Sequence, residues 1–252
     1  FVAWLARELK RHPDLEPESL ILEVLETSAL EDLERVSRVI RECRDIGVLF
    51  SLDDFGTGYS SLTYLKNLPA AELKIDQSFV RDCLDDPEDL AILDGVLGLA
   101  TAFQRRVVAE GVETSVHGEM LLALGCELAQ GYAIARPMPR NEFDDWLKQW
   151  HNKTLWEGIQ PVGRDDLPLL FAKVEHRAWV NRVERCLKEG CEEPPLSVSH
   201  CRFGDWMRGV GAERYGRMPV FRDIGELHQE LHALAEHLVA LKAQGEVPYA
   251  LG

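Results

Sequence analysis

The sequence predicts a parallel α/β domain followed by an all-helical one, and three observations carry the prediction. Short, β-favouring apolar runs alternate with amphipathic stretches through residues 1–150, ionisable residues close those runs one after another, and no convincing strand follows Trp150. The runs are Leu20–Val24, Val48–Leu52, Glu72–Ile75 and Val107–Ala109, with a weaker fifth around 127–133. They are brief and apolar, as strands buried on both faces of a parallel sheet are. Between the first two, residues 29–45 place Leu30, Leu33, Val36, Ile40 and Cys43 at helical spacing, and Gly47 ends the helix. Similar patterns predict helices over 61–68, 88–103, 114–125 and 140–150. Repeated strand-helix units leave two architectures open, a (β/α) barrel and a doubly wound sheet.

Residues 151–165, with Gly158, Pro161 and Gly163, read as a connector. Helical stretches follow near 166–189, 201–213 and 220–243, interrupted by Pro194–Pro195. The expected organisation is thus an α/β domain over 1–150, a connector over 151–165 and a helical domain over 166–252.

A chain of 252 residues with 46% hydrophobic and 28% charged residues has globular composition. No apolar run reaches the ~18–20 residues that span a bilayer, and the opening segment mixes acids and bases among its apolar residues, unlike a secretory signal. Six scattered cysteines in a chain of this size read as reduced thiols, and a cytoplasmic setting is expected. The formal charge of -15 disfavours a nucleic-acid polymer as partner. Residues 1–150 hold 28 acids against 15 bases, while 151–252 hold 15 against 13. A first domain this acidic needs metal ions if it is to bind phosphates.

In both candidate architectures ligands bind at the carboxyl ends of the strands. There the sequence places Glu23, Asp53–Asp54, Lys74 with Asp76, and Glu110, on four successive strands. Clustered carboxylates resist ionisation unless cations lie among them, and an all-oxygen ligand set suits Mg²⁺ or Mn²⁺. The segment Asp53-Asp54-Phe55-Gly56-Thr57-Gly58-Tyr59-Ser60-Ser61 adds two glycines and three aliphatic hydroxyls, which read as a mobile loop over a substrate.

That segment, together with Glu23-Val24-Leu25-Glu26, Leu73-Lys74-Ile75-Asp76, Ala109-Glu110-Gly111-Val112-Glu113-Thr114, Ala129-Gln130-Gly131-Tyr132 and Arg136-Pro137, resembles the signatures of the EAL-domain cyclic di-GMP phosphodiesterases. The resemblance covers nearly all of residues 1–150. It implies a modified TIM barrel that opens cyclic di-GMP to linear pGpG with two Mg²⁺ or Mn²⁺ ions and a water nucleophile. It carries Glu23, Asp53, Asp54 and Glu110 over as metal ligands, with Glu110 as ligand or base and Lys74 positioning or activating the water. Glu26, Gly56, Thr57, Asp76, Glu113 and Gln130 would support the loop, the metal shell or the substrate. The family's Glu-Ala-Leu motif and metal-binding Asn do not occur before Glu23. The resemblance therefore implies that the chain starts inside the barrel, about five of eight strands being present, and that this segment alone is catalytically weak.

In the helical region His228 and His232 stand at i and i+4 on one helix, so their rings share a face. His176-Arg-Ala-Trp179, Cys201-Arg-Phe-Gly204-Asp-Trp206, Tyr215, Phe221 and the histidine pair resemble the chemoreceptor zinc-binding domain, a four-helix bundle. The resemblance implies one Zn²⁺ held by His176, Cys201, His228 and His232, a sensing role for the bundle, and a homodimer. Trp179, Trp206 and Phe221 are expected in the bundle core. The function expected is a bacterial, zinc-responsive cyclic di-GMP phosphodiesterase; the alternative is a noncatalytic cyclic di-GMP receptor with a zinc-binding domain.

Overall fold

The computed structural model describes residues 1–56, 62–150, 155–189, 194–198 and 201–244, with backbone alone at 62–64. The chain divides into two compact units. The first comprises Phe1–Leu84 and Glu88–Pro161; the second comprises Asp85–Pro87 and the chain from Val162 onward.

The first unit opens with α1 (Val2–Arg11), a helix outside those expected from the sequence. Its buried Leu5 is the seed of that helix's contact with the rest of the unit. There follow β1 (Ile21–Leu25), α2 (Glu26–Glu31), α3 (Leu33–Arg44), β2 (Leu49–Phe55), α4 (Leu62–Asn67), β3 (Glu72–Ile75), α5 (Gln77–Asp82), α6 (Pro87–Ala102), β4 (Arg106–Ala109), α7 (Ser115–Leu124), β5 (Leu128–Ala129) and α8 (Arg140–Trp150). The single helix expected over 29–45 is two helices. Asp32 leaves helical geometry and its carboxylate accepts the Arg35 N–H at 3.0 Å, capping α3 at the cost of continuity with α2. The fifth strand is shorter than the stretch expected around 127–133.

All five strands are parallel and lie in the order β1-β2-β3-β4-β5. A doubly wound sheet reverses direction at a switch point, whereas a barrel adds strands sequentially. The order is that of a (β/α) barrel. All four residues of the central β3 are buried, and β1 and β5, at the two edges, are more exposed. Leu52, Leu73 and Ile75 of the strands and Leu90, Leu93 and Leu121 of helices α6 and α7 are fully buried and belong to the core of this unit. One register change matters: Leu52 pairs with Leu73 and Phe55 with Ile75, so β2 carries one extra residue at Asp53–Asp54.

The second unit is helical among its described residues, with α9 (Leu167–Glu189), α10 (Arg202–Arg208), α11 (Val210–Tyr215) and α12 (Pro219–Ala243). The helix expected over 201–213 breaks at Gly209, whose backbone leaves helical geometry. Val183 and Leu187 of α9 pack with Ala235 and Val239 of α12, each pair one helical turn apart. Trp206 is buried and donates its indole N–H to the Asp165 carbonyl at 2.7 Å. Trp179 and Phe221, expected in the core, are only half-buried. No described helix is long and apolar enough to cross a membrane.

Candidate metal centres

The carboxyl ends of β1 to β4 converge on one ammonium group. Lys74 Nζ lies 2.8 Å from Glu23 Oε1, 3.0 Å from Asp53 Oδ1 and 2.5 Å from Glu110 Oε1. Burial alone would lower the lysine pKa, but hydrogen bonds to Glu110, Glu23 and Asp53 outweigh it, and the ammonium titrates above the usual lysine range. Gln130, just past β5, donates to Glu110 Oε1 at 2.7 Å, so a fifth strand end joins the cluster.

Oxygens of Asp53, Asp54 and Glu110 all lie within 4.8 Å of one another. Asp54 sits at φ 55, an uncommon conformation for a residue with a Cβ, where the bulge turns it toward its neighbour. Its carboxyl is pushed above the usual range by burial and by the charges of Asp53 and Asp76. That of Glu110 is raised by burial, against the opposing pull of Lys74. One lysine thus faces more carboxylate charge than it neutralises. A divalent cation would relieve the excess, and hard oxygen donors are the set that Mg²⁺ or Mn²⁺ prefers. The residues fit such an ion.

The surrounding positions have separate tasks. Glu26 is fully buried at the start of α2, and its Oε2 accepts the Gly56 N–H at 2.9 Å, fixing the point where the glycine-rich segment leaves β2. Gly56 has φ 105, and a Cβ there would meet the Phe79 ring at 2.9 Å. Asp76 caps α5, accepting the Ser78 N–H at 2.9 Å and the Ser78 hydroxyl. Glu113 is exposed at the turn before α7, outside the carboxylate cluster. Thr57 and the rest of the expected loop through Ser61 lie outside the described residues.

In the second unit, ligand atoms of His176, Cys201, His228 and His232 lie within 4.8 Å of one another. Cys201 Sγ is 3.5 Å from both His176 Nε2 and His228 Nε2. A tetrahedral zinc with bonds of about 2.3 Å to sulfur and ~2.0–2.1 Å to nitrogen separates those donors by about 3.5 Å. The tautomers also suit a metal. His176 Nδ1 donates to the Ala172 carbonyl at 2.7 Å and His232 Nδ1 to the Leu196 carbonyl at 2.6 Å. Carbonyls only accept, so each Nδ1 carries a proton and each Nε2 is left to face the centre. His232 Nε2 is buried without a hydrogen-bond partner, as an atom reserved for a cation would be.

Electrostatics favour the liganding forms of His228 and Cys201. Burial, then the neighbouring His176 and His232, push His228 down to about 4, so it stays neutral. Burial raises the Cys201 thiol, but the His176 hydrogen bond and the Gly204 and Phe203 backbone amides outweigh it and lower the pKa. The hydrogen bond to Cys201 raises His176. Phe203 stands edge-on to His176 and His228, and Trp179 lies against His232 with centroids 4.5 Å apart. The carbonyls of Ala172 and Leu196 were not singled out from sequence. The first is a helical i−4 contact that spacing could have suggested; the second comes from a segment with no local signal.

These features define a barrel-type α/β protein whose strand ends gather carboxylates that fit a hard divalent cation, joined to a helical unit in which three histidines and one cysteine converge in an arrangement that fits zinc. The chain belongs to the EAL-domain family: the EAL domain matches residues 1–137, and the chemoreceptor zinc-binding domain matches residues 176–239. It is 46% identical over 134 residues to the bifunctional diguanylate cyclase/cyclic di-GMP phosphodiesterase MucR of Pseudomonas aeruginosa, covering 53% of this chain and 19% of the relative. The solved phosphodiesterase of MucR in complex with c-di-GMP aligns with TM-score 0.51 at 46% identity, over 54% of each chain. The manganese and cyclic di-GMP complex of Klebsiella pneumoniae BlrP1 aligns with TM-score 0.51 at 33% identity, over 54% of this chain and 34% of that one. The chain thus spans about a fifth of the length of its curated relative MucR.

Proposed function

We propose that the chain is part of a cyclic di-GMP phosphodiesterase that hydrolyses its substrate to linear pGpG, under the influence of a zinc-binding helical domain. The observation that carries the reading is the convergence of Glu23, Asp53 and Glu110 on Lys74, with Asp54 beside them. Glu23, Asp53, Asp54 and Glu110 would hold two Mg²⁺ or Mn²⁺ ions. Bound there, the ions would lower the pKa of a water and neutralise charge on the phosphate. Lys74, kept protonated by its carboxylates, would orient that water and meet developing charge on the phosphoryl oxygens. Gln130 would hold Glu110 in place, and Glu26 would fix the start of the loop that covers the substrate. His176, Cys201, His228 and His232 would bind zinc as the regulatory input.

The deciding experiment is conversion of cyclic di-GMP to pGpG, in Mg²⁺ and at two buffered free-zinc levels, by the protein that carries this chain within a complete EAL barrel. Turnover that moves with zinc supports both sites and their coupling. Binding of the dinucleotide without turnover would favour the receptor reading, and neither binding nor turnover would overturn the proposal.

A further inference from the structure

Three of the four residues of the zinc-type cluster, His176, Cys201 and His232, line a cavity of about 370 Å³ whose other walls include Glu175, Trp179, Arg182 and Arg202. His228 is buried and is not among the lining residues. The cluster is therefore open to exchange from one direction. That direction is not built for a bare cation. Among the described lining residues two arginines, Arg182 and Arg202, stand against one carboxylate, and that carboxylate is already engaged, Arg202 Nε lying 3.3 Å from Glu175 Oε1. Arg202 is also held over the Phe171 ring at 4.9 Å, so its charge stays at the cavity wall. The described part of the wall therefore carries net positive charge, which disfavours a free divalent ion and favours an anion.

We propose that the metal enters and leaves this site as a complex with a small, carboxylate-bearing chelator, which docks in the cavity with its carboxylates on Arg182 and Arg202. The inference rests on the zinc reading of the cluster. The cavity is at the small end of the ~300–1,000 Å³ range of ligand pockets, which suits a metabolite-sized chelator and excludes a folded partner. Exchange is a substitution without redox change: a carboxylate oxygen takes the position that a protein side chain gives up, one donor for one. Cys201 and His176, half-buried at the cavity, are placed to yield first, and His228 and His232, both buried, to yield last.

The test uses the full chain loaded with cobalt(II), whose thiolate absorption reports the intact site, and nitrilotriacetate as the chelator. The expected loss of absorption after mixing has a rate that rises with nitrilotriacetate concentration and saturates. Arg182→Gln should slow it at least threefold with the cobalt affinity changed less than twofold, and Glu175→Gln, which removes the opposing charge, should speed it at least twofold. A rate independent of chelator concentration would overturn the proposal, as would an unchanged rate in Arg182→Gln or a slower one in Glu175→Gln. If the unsubstituted chain bound neither zinc nor cobalt, the ligand set and this inference would fall together, an outcome distinct from a loaded site that exchanges by simple dissociation.

Discussion

Asp53 and Asp54 are consecutive along β2, yet oxygens of both share a space less than 4.8 Å across with an oxygen of Glu110. In a regular strand adjacent side chains point to opposite faces. Here β2 advances three residues from Leu52 to Phe55 while β3 advances two from Leu73 to Ile75, and Asp54 turns to φ 55. The bulge turns an alternation into a pair, giving one strand end two carboxylates.

That pairing has a price in the absence of metal, since Asp54 is held above its usual pKa by burial and by Asp53. Asp54→Asn is expected to raise the Tm of the metal-free chain by about 1–3 °C, because it removes like-charge repulsion. The same change should at least halve the Tm increase that Mn²⁺ produces. Thermal unfolding with and without Mn²⁺ reads both effects, and a metal-independent loss of stability would contradict the account.

Lys74 has the opposite role, as the internal counterion of Glu23, Asp53 and Glu110. Lys74→Met should destabilise the metal-free chain by at least about 2 kcal/mol, since it leaves several partly buried carboxylates without a cation. Saturating Mg²⁺ or Mn²⁺ should restore much of that loss, and turnover by the complete barrel should fall at least a hundredfold. Denaturant midpoints with and without metal separate the structural part from the chemical one.

Glu26 is fully buried and accepts the Gly56 N–H. Glu26→Ala should cost about 1–3 kcal/mol, the usual penalty for a buried donor left without its acceptor plus the space vacated. Glu26→Gln keeps an acceptor oxygen and should recover most of the stability. Equal destabilisation by the two substitutions, measured by urea unfolding, would show that the Gly56 contact is not what Glu26 contributes.

In the helical unit, chelation of metal should lower the Tm, and loading at a thousandfold over Kd should stabilise by about 4 kcal/mol if only the folded form binds. His232→Ala, which removes a buried ligand atom that has no other partner, should reduce bound zinc per chain from one to near zero by elemental analysis. Retention of one tightly bound zinc would remove His232 from the ligand set.

Thiol chemistry offers an independent check. Cys43, Cys83, Cys126 and Cys186 are buried, whereas Cys201 is half-buried with its thiol lowered; burial pushes Cys126 up to about 11. Iodoacetamide at pH 7.5 should therefore label Cys201 first among these five in the metal-free chain, with Cys126 unreacted until unfolding. Zinc should protect Cys201. Peptide mass mapping over time would refute the assignment if zinc left the Cys201 rate unchanged.

Much of this architecture is written locally in the chain. The β-favouring runs, the helical periodicities, the ionisable group closing each of four strands and the His228–His232 spacing all depend on residues within a turn or two of one another, so they are legible from sequence. The break between α2 and α3 has a local cause as well, the Asp32 cap, but helical periodicity on both sides of it conceals the stop. Three features required the tertiary structure. The sequential strand order, which makes the sheet a barrel's, depends on which strands pair. The Asp53–Asp54 bulge depends on β2 having β3 as a neighbour, because an extra residue exists only relative to a partner strand. The meeting of His176 and Cys201 with the α12 histidines depends on helix packing that brings together donors far apart along the chain. Local periodicity selects the elements and their chemistry; long-range packing decides which side chains share a space, and therefore which donors could hold a metal together.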